Sequence, residues 1–151
     1  MSENNDNKPL VGQIVLVTGA TRGIGRGIAV QMGEAGATVY ITGRTLTSKD
    51  GMGSLEDTAN EIKKRGGHCI PVQVDHEDDK QISDLFQKIK TEQNGRLDIL
   101  VNNAYKAVNQ IFESSSLKFW QAEPQLWDEV NNVGLRSHYI CTVYASRFIF
   151  F

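Results

Sequence analysis

The sequence predicts an α/β fold, a doubly wound parallel sheet covered by helices on both faces, and three observations carry the expectation. Short apolar, β-branched runs alternate with stretches whose apolar residues recur at helical spacing, the pattern of successive strand and helix units. The first run, "IVLV", passes into "VTGATRGIG" at 17–25, and glycines at that density between a strand and a helix mark a tight turn. Pro71 stands inside the third run, where it cannot donate to a ladder and so belongs on an edge strand. In the order 3-2-1-4 the third strand is an edge, so proline and topology agree.

The elements follow in order. "QIVLVTG" at 13–19 is the first strand, and "IGRGIAVQMGEAG" is a helix with Ile24, Ile28, Met32 and Ala35 on one face and Gly36 as its C-terminal cap. "ATVYITG" at 37–43 is a second strand; Ser54 and Asp57 open a helix over 54–67 in capping-box-like order, and Gly66 and Gly67 close it. "HCIPVQVD" at 68–75 is the third strand, followed by a helix carrying Ile82, Leu85, Phe86 and Ile89, a turn at Asn94-Gly95, and a fourth strand in "LDILVNNA" at 97–104. Residues 47–54 read as an enlarged loop, and 106–123 as a loop over the C-terminal ends of the strands. Pro124 then opens one long helix with Trp127, Val130, Gly134, Ser137, Cys141 and Ala145 at compatible spacing. No internal repeat and no linker to a second domain is visible.

Composition excludes several functions. Sixteen Lys and Arg against eighteen Asp and Glu leave a net charge of −2, which offers no footprint for nucleic acid or an anionic membrane. Cys69 and Cys141 lie far apart, so the expectation is two buried thiols, no disulfide and no metal. The N-terminal "MSENNDNKP" lacks a signal-peptide core, and no run approaches the roughly 18 apolar residues of a membrane helix. A soluble, cytoplasmic protein is expected.

A strand feeding a glycine turn and a helix offers unpaired N–H groups and the positive end of a helix dipole, an anion site. Gly19 allows the sharp turn, while Gly23 and Gly25 let backbone and helix approach a pyrophosphate; the alternative is that the glycines serve packing alone. Dinucleotide folds often carry a carboxylate at the end of the second strand for the ribose 2′-OH, but "YITGRT" places Gly43 and Arg44 there. Arg44, helped by Arg22, suits a 2′-phosphate and favours NADP over NAD, unless both arginines are solvated loop residues. Asp75 is placed to accept from an adenine amino group or to cap a helix.

With "TGATRGIG" at 18–25, "VD" at 74–75 and "LDILVNNA" at 97–104, the sequence resembles the short-chain dehydrogenase/reductase family over about residues 10–147. The resemblance implies a Rossmann-type sheet, here cut short after the fourth strand and its following helix, with residues 1–9 a disordered tail and 10–151 the N-terminal cofactor-binding part. It implies that Gly19, Arg22, Gly23, Ile24 and Gly25 hold the pyrophosphate, Arg44 the adenosine phosphate and Asp75 the adenine. Asn102 and Ala104 would line the path towards the nicotinamide. Tyr105 departs from the family's N-N-A-G motif, which has glycine there, and Gly134 falls where the family carries an asparagine; neither Asn131 nor Asn132 is assigned a catalytic role.

The family's reaction is hydride transfer between nicotinamide and a carbonyl or alcohol, its acid a tyrosine with a lysine four residues later and a serine beside it. Tyr40, Tyr105, Tyr139 and Tyr144 are followed at that distance by Arg44, Asn109, Val143 and Phe148. The expectation is therefore no catalytic residue within these 151, the fourth strand left as an apolar edge, and "RFIFF" as an exposed apolar end. Two further readings stay open: an inert dinucleotide-binding or dimerising fragment, and a truncated product without function. The implied partners are a small carbonyl or alcohol substrate and a homo-oligomer, with no nucleic acid or metal. Association with the endoplasmic reticulum is left open to sequence not present here. The aromatic residues Phe112, Phe119 and Trp120 read either as cover for an apolar substrate or as packing.

Overall fold

Ile14–Val17 (β1) is buried at every position, as a central strand covered on both faces must be. The structure, a computed structural model, describes residues 8–48, 51 and 53–149. After β1 come Gly23–Glu34 (α1), Thr38–Gly43 (β2), Leu55–Lys64 (α2), His68–Gln73 (β3), Asp79–Glu92 (α3) and Ile99–Val101 (β4). The chain continues through Val108–Ser114 (α4), a 3-10 turn at Phe119–Gln121, Gln125–Asn131 (α5), a π-helical turn at Asn132–Arg136 and Ser137–Ile149 (α6). The four strands are parallel in the order β3-β2-β1-β4. Pro71 lies on the edge strand β3, and β4 forms the opposite edge.

Side chains alternate along each strand, so the sheet divides the apolar residues into two cores. Leu16 and Tyr40 meet Ile82, Leu85, Phe86 and Ile89 of α3 and Cys141 of α6 on one face. Val15, Val17, Val39 and Ile41 meet Ala29 of α1 and Leu55 and Ile62 of α2 on the other. Each fully buried Leu, Ile or Val contributes about 1.5–3 kcal/mol, which makes these two layers the source of the fold's stability.

The expected apolar face of α1 is only partly the inward one, with Ile28 and Met32 packed against the core. Ile24 is 78% exposed and Ile28 and Met32 are only half-buried, whereas Gly25, Ala29, Val30 and Gly33 are buried. Close approach selects small residues here: a Cβ on Gly33 would meet Ile62 Cγ2 at 2.5 Å. The end of α1 is as expected, with Gly36 at φ +97° and Ala37 N–H donating to Met32 O at 3.1 Å. At the start of α2, Ser54 Oγ accepts from Asp57 N–H at 3.1 Å and donates to the Asp57 carboxylate at 2.7 Å.

The C-terminal third departs most from expectation. The segment expected as loop contains α4 and the 3-10 turn, and the single helix expected from Pro124 is divided by the π-helical turn. A π turn carries an extra residue and shifts the inward face. Val133, Ser137, Cys141 and Ala145 are buried, Gly134 is half-buried and Trp127 is 70% exposed. Phe112, Phe119 and Trp120 are 80%, 94% and 76% exposed, so packing does not account for them. Phe148, expected in an exposed apolar end, lies against Phe86 with ring centroids 6.1 Å apart; Phe150 and Phe151 lie outside the described residues.

The expected tail falls mostly outside the described residues, although Lys8 O accepts from Val11 N–H at 3.3 Å. Part of the 47–54 loop lies outside them too. Both cysteines are free, Cys141 buried and Cys69 half-buried, and burial pushes both thiols up to about 12. No described helix is long and apolar enough to cross a membrane.

Candidate functional site

The turn after β1 is built around Thr18. Its N–H and hydroxyl both donate to Val101 O, at 3.0 and 3.2 Å. Its Oγ1 accepts from Asn103 N–H at 2.9 Å and Ala104 N–H at 3.0 Å. Asn103 Nδ2 returns across the gap and donates to the carbonyls of Thr18 and Gly19, both at 2.9 Å. The ends of β1 and β4 are thereby locked together.

Glycine is required at this junction for two different reasons. A Cβ on Gly19, at φ +68°, would stand 2.7 Å from Ala104 Cα, and one on Gly25 would lie closer than 3.0 Å to both Asn103 Nδ2 and Gly19 O. A Cβ on Gly23, at φ +58°, would meet nothing within 4 Å, so the need there is conformational. The N-cap of α1 is Arg22, in extended conformation, and no side chain caps the helix. The first-turn N–H groups have no intrahelical acceptor, and the helix dipole adds positive potential at the same point.

Beside this turn lies a cleft of about 660 Å³ over the C-terminal ends of the strands, a size typical of small-molecule sites. Gly19, Arg22, Ile24, Gly25, Arg44, Asp75 and Ala104 line it. Gly23 and Asn102 do not. The Asn102 amide instead turns to α6, donating to Thr142 Oγ1 at 3.0 Å. Arg44 is exposed, its carbonyl held by Gln73 Nε2 at 2.8 Å. Among the described residues neither the Arg22 nor the Arg44 guanidinium has an ion-pair or hydrogen-bond partner.

Asp75 Oδ1 accepts from Glu77 N–H at 3.0 Å, and its own N–H donates to Gln81 Oε1 at 2.8 Å. The cap of α3 is Asp78, which accepts from Lys80 N–H at 2.8 Å and Gln81 N–H at 3.3 Å. The helix-cap alternative for Asp75 is thus corrected: the cap lies three residues on.

Several lining residues carry no obvious mark in the sequence. His76 is 4% exposed, with Nε2 2.8 Å from Thr42 Oγ1 and Nδ1 3.9 Å from Cys141 Sγ. Burial, reinforced by His138 and opposed by Asp75, pushes its pKa down to about 4, so the ring is neutral at physiological pH. Asn103 had a usable signal in strand alternation. Leu100 packs into the core against α3 and α6, while Ile99 and Val101 pack into the core on the other face, so of two adjacent asparagines Asn103 belongs with the α1 side. Tyr105, Lys106 and Val133 complete the far end.

The arrangement offers an anion a set of backbone donors, a helix dipole and two guanidiniums without partners among the described residues. No group of three or more metal-binding side chains is present among those residues.

Comparison with known proteins agrees with this geometry. Residues 13–149 match the family model described as short chain dehydrogenase. Dehydrogenase/reductase SDR family member 1 of Mus musculus is 50% identical over 139 residues, covering 92% of this chain and 42% of that protein; the Homo sapiens protein of the same name is 49% identical with the same coverage. Among solved structures, a putative short-chain alcohol dehydrogenase from Sinorhizobium meliloti superposes with a TM-score of 0.76 at 33% identity, over 95% of this chain and 51% of the other. A metagenomic short-chain oxidoreductase in complex with NADP gives 0.79 at 28% identity, over 93% and 58%. The chain spans less than half the length of these curated relatives. With the strand order, the glycine turn and the match over 13–149, the chain belongs to the short-chain dehydrogenase family.

Proposed function

We propose that the cleft holds NADP(H), and that the chain is the cofactor-binding part of an oxidoreductase acting on a carbonyl or alcohol. The observation that carries this reading is Arg44, without a partner among the described residues at the end of β2 and facing the same cleft as the bare-backbone turn. The residues fit such a group, because the uncapped α1 start and the Cβ-free Gly19–Gly25 turn leave donors where a pyrophosphate needs them.

In this reading Gly19, Arg22, Gly23, Ile24 and Gly25 cradle the pyrophosphate. Arg44, with Arg22, pairs with the 2′-phosphate through planar donors, and Asp75 accepts from the adenine amino group. Ala104 fixes the wall towards the nicotinamide, and Asn102 contributes by tying the end of β4 to α6 rather than by contact. When bound, the cofactor supplies or receives hydride. The serine and the Tyr-x-x-x-Lys proton donor of the family are assigned to the part of the relatives' length that this chain does not span. The neighbour solved with NADP supports the same cofactor class.

Titration of the 151-residue chain and its Arg44→Ala variant with NADPH and NADH tests the assignment. Loss of a charge-assisted phosphate contact weakens NADPH binding about tenfold or more and leaves NADH unchanged. An equal loss for both cofactors overturns the role of Arg44.

A further inference from the structure

Along the strand ends the cleft residues fall in sheet order: Asp75 beyond β3, Arg44 beyond β2, the glycine turn beyond β1 and Tyr105 beyond β4. A dinucleotide with its pyrophosphate on α1 and its adenosine phosphate on Arg44 must extend its other half towards β4. Tyr105 stands there. It lines the cleft and is 45% exposed, and its hydroxyl has no hydrogen-bond partner among the described residues.

Its neighbours in the chain are fixed. Ala104 N–H donates to Thr18 Oγ1 at 3.0 Å, Ala104 O accepts from His138 Nε2 at 2.9 Å, and Lys106 Nζ pairs with Glu77 at 2.8 Å. The ring lies against the π-helical turn, where a Cβ on Gly134 would meet its Cδ2 and Cε2 at 2.7 Å. Absence of a side chain at 134 therefore sets where the ring can be. With one edge held there, the remaining ring surface and the phenol are what a ligand meets, and they suit a heteroaromatic amide or a ribose hydroxyl.

We propose that Tyr105, seated against Gly134, is a binding residue that contacts the nicotinamide half of the bound cofactor. The proposal rests on the dinucleotide reading above. Its test compares NADPH with adenosine 2′,5′-bisphosphate, which keeps the phosphate recognised by Arg44 and lacks the nicotinamide half.

Tyr105→Gly weakens NADPH binding about fivefold or more, the loss of an aromatic contact, and leaves the bisphosphate affinity unchanged. Gly134→Ala, which displaces the ring, moves NADPH in the same direction and has no further effect in a Tyr105→Gly background. It supplies the same comparison should Tyr105→Gly fail to fold. Equal losses for both ligands, or unchanged NADPH affinity in both variants, overturn the proposal. If the unaltered chain binds neither ligand, the dinucleotide reading itself fails and takes the proposal with it.

Discussion

Asn103 Nδ2 donates at 2.9 Å to the carbonyls of both Thr18 and Gly19, so one amide at the end of β4 holds the turn that leaves β1. The turn's shape is consequently a tertiary property, set by a residue more than eighty positions away in the chain.

Asn103→Ala removes both donors and opens a space beside Gly25. Two partly buried carbonyls lose partners, so the variant is destabilised by about 1–3 kcal/mol, read as a lower urea midpoint with an unchanged m-value. Asn103→Asp, which cannot donate from its carboxylate, loses at least as much.

Gly25 and Gly27 sit two residues apart on α1 and respond oppositely to alanine. A Cβ at 25 would collide with Gly19 O and Asn103 Nδ2, whereas one at 27 meets nothing within 4 Å. Gly25→Ala destabilises by more than about 1 kcal/mol because the obstacles include backbone. Gly27→Ala stabilises by about 0.5–1 kcal/mol through helix propensity and a less free unfolded chain. Paired thermal melts decide both signs.

His76 makes the fold acid-sensitive. Its pKa falls from an ordinary 6.5 to about 4 on folding, so the unfolded state binds the proton more readily between those values. The contribution is complete above about pH 6.5 and is lost as pH falls towards 4. Between about pH 7.5 and pH 5 the loss is about 2 kcal/mol. Urea unfolding at the two pH values measures it, and a His76→Gln variant shows a flatter dependence over the same interval.

How much of this was legible in the sequence depends on what positions each residue. The α/β alternation was legible because apolar periodicity is a local signal, and Pro71, as an edge residue, agreed with the doubly wound order that the sheet adopts. The cleft residues Arg44 and Asp75 were legible because each lies at the end of a strand. The inner face of α1 was legible only in part, since hydrophobicity finds Ile28 and Met32 but also favours the exposed Ile24, while the helix's close approach to α2 requires Gly33. The π-helical turn was hidden: helical spacing runs through Val130 and Gly134 without a break, and the close approach of Gly134 to the Tyr105 ring is a tertiary contact that local spacing does not report. His76 carried no signal, because its burial arises where β2, β3 and α6 converge.

The most direct test of the account is the unfolding of the 151-residue chain with NADPH and with NADH at matched concentrations. NADPH at about 100 times its dissociation constant adds about 2.7 kcal/mol of stability, and NADH at the same concentration adds clearly less. Stabilisation by NADH but not by NADPH, or by neither, would contradict the assignment of the cleft and of Arg44.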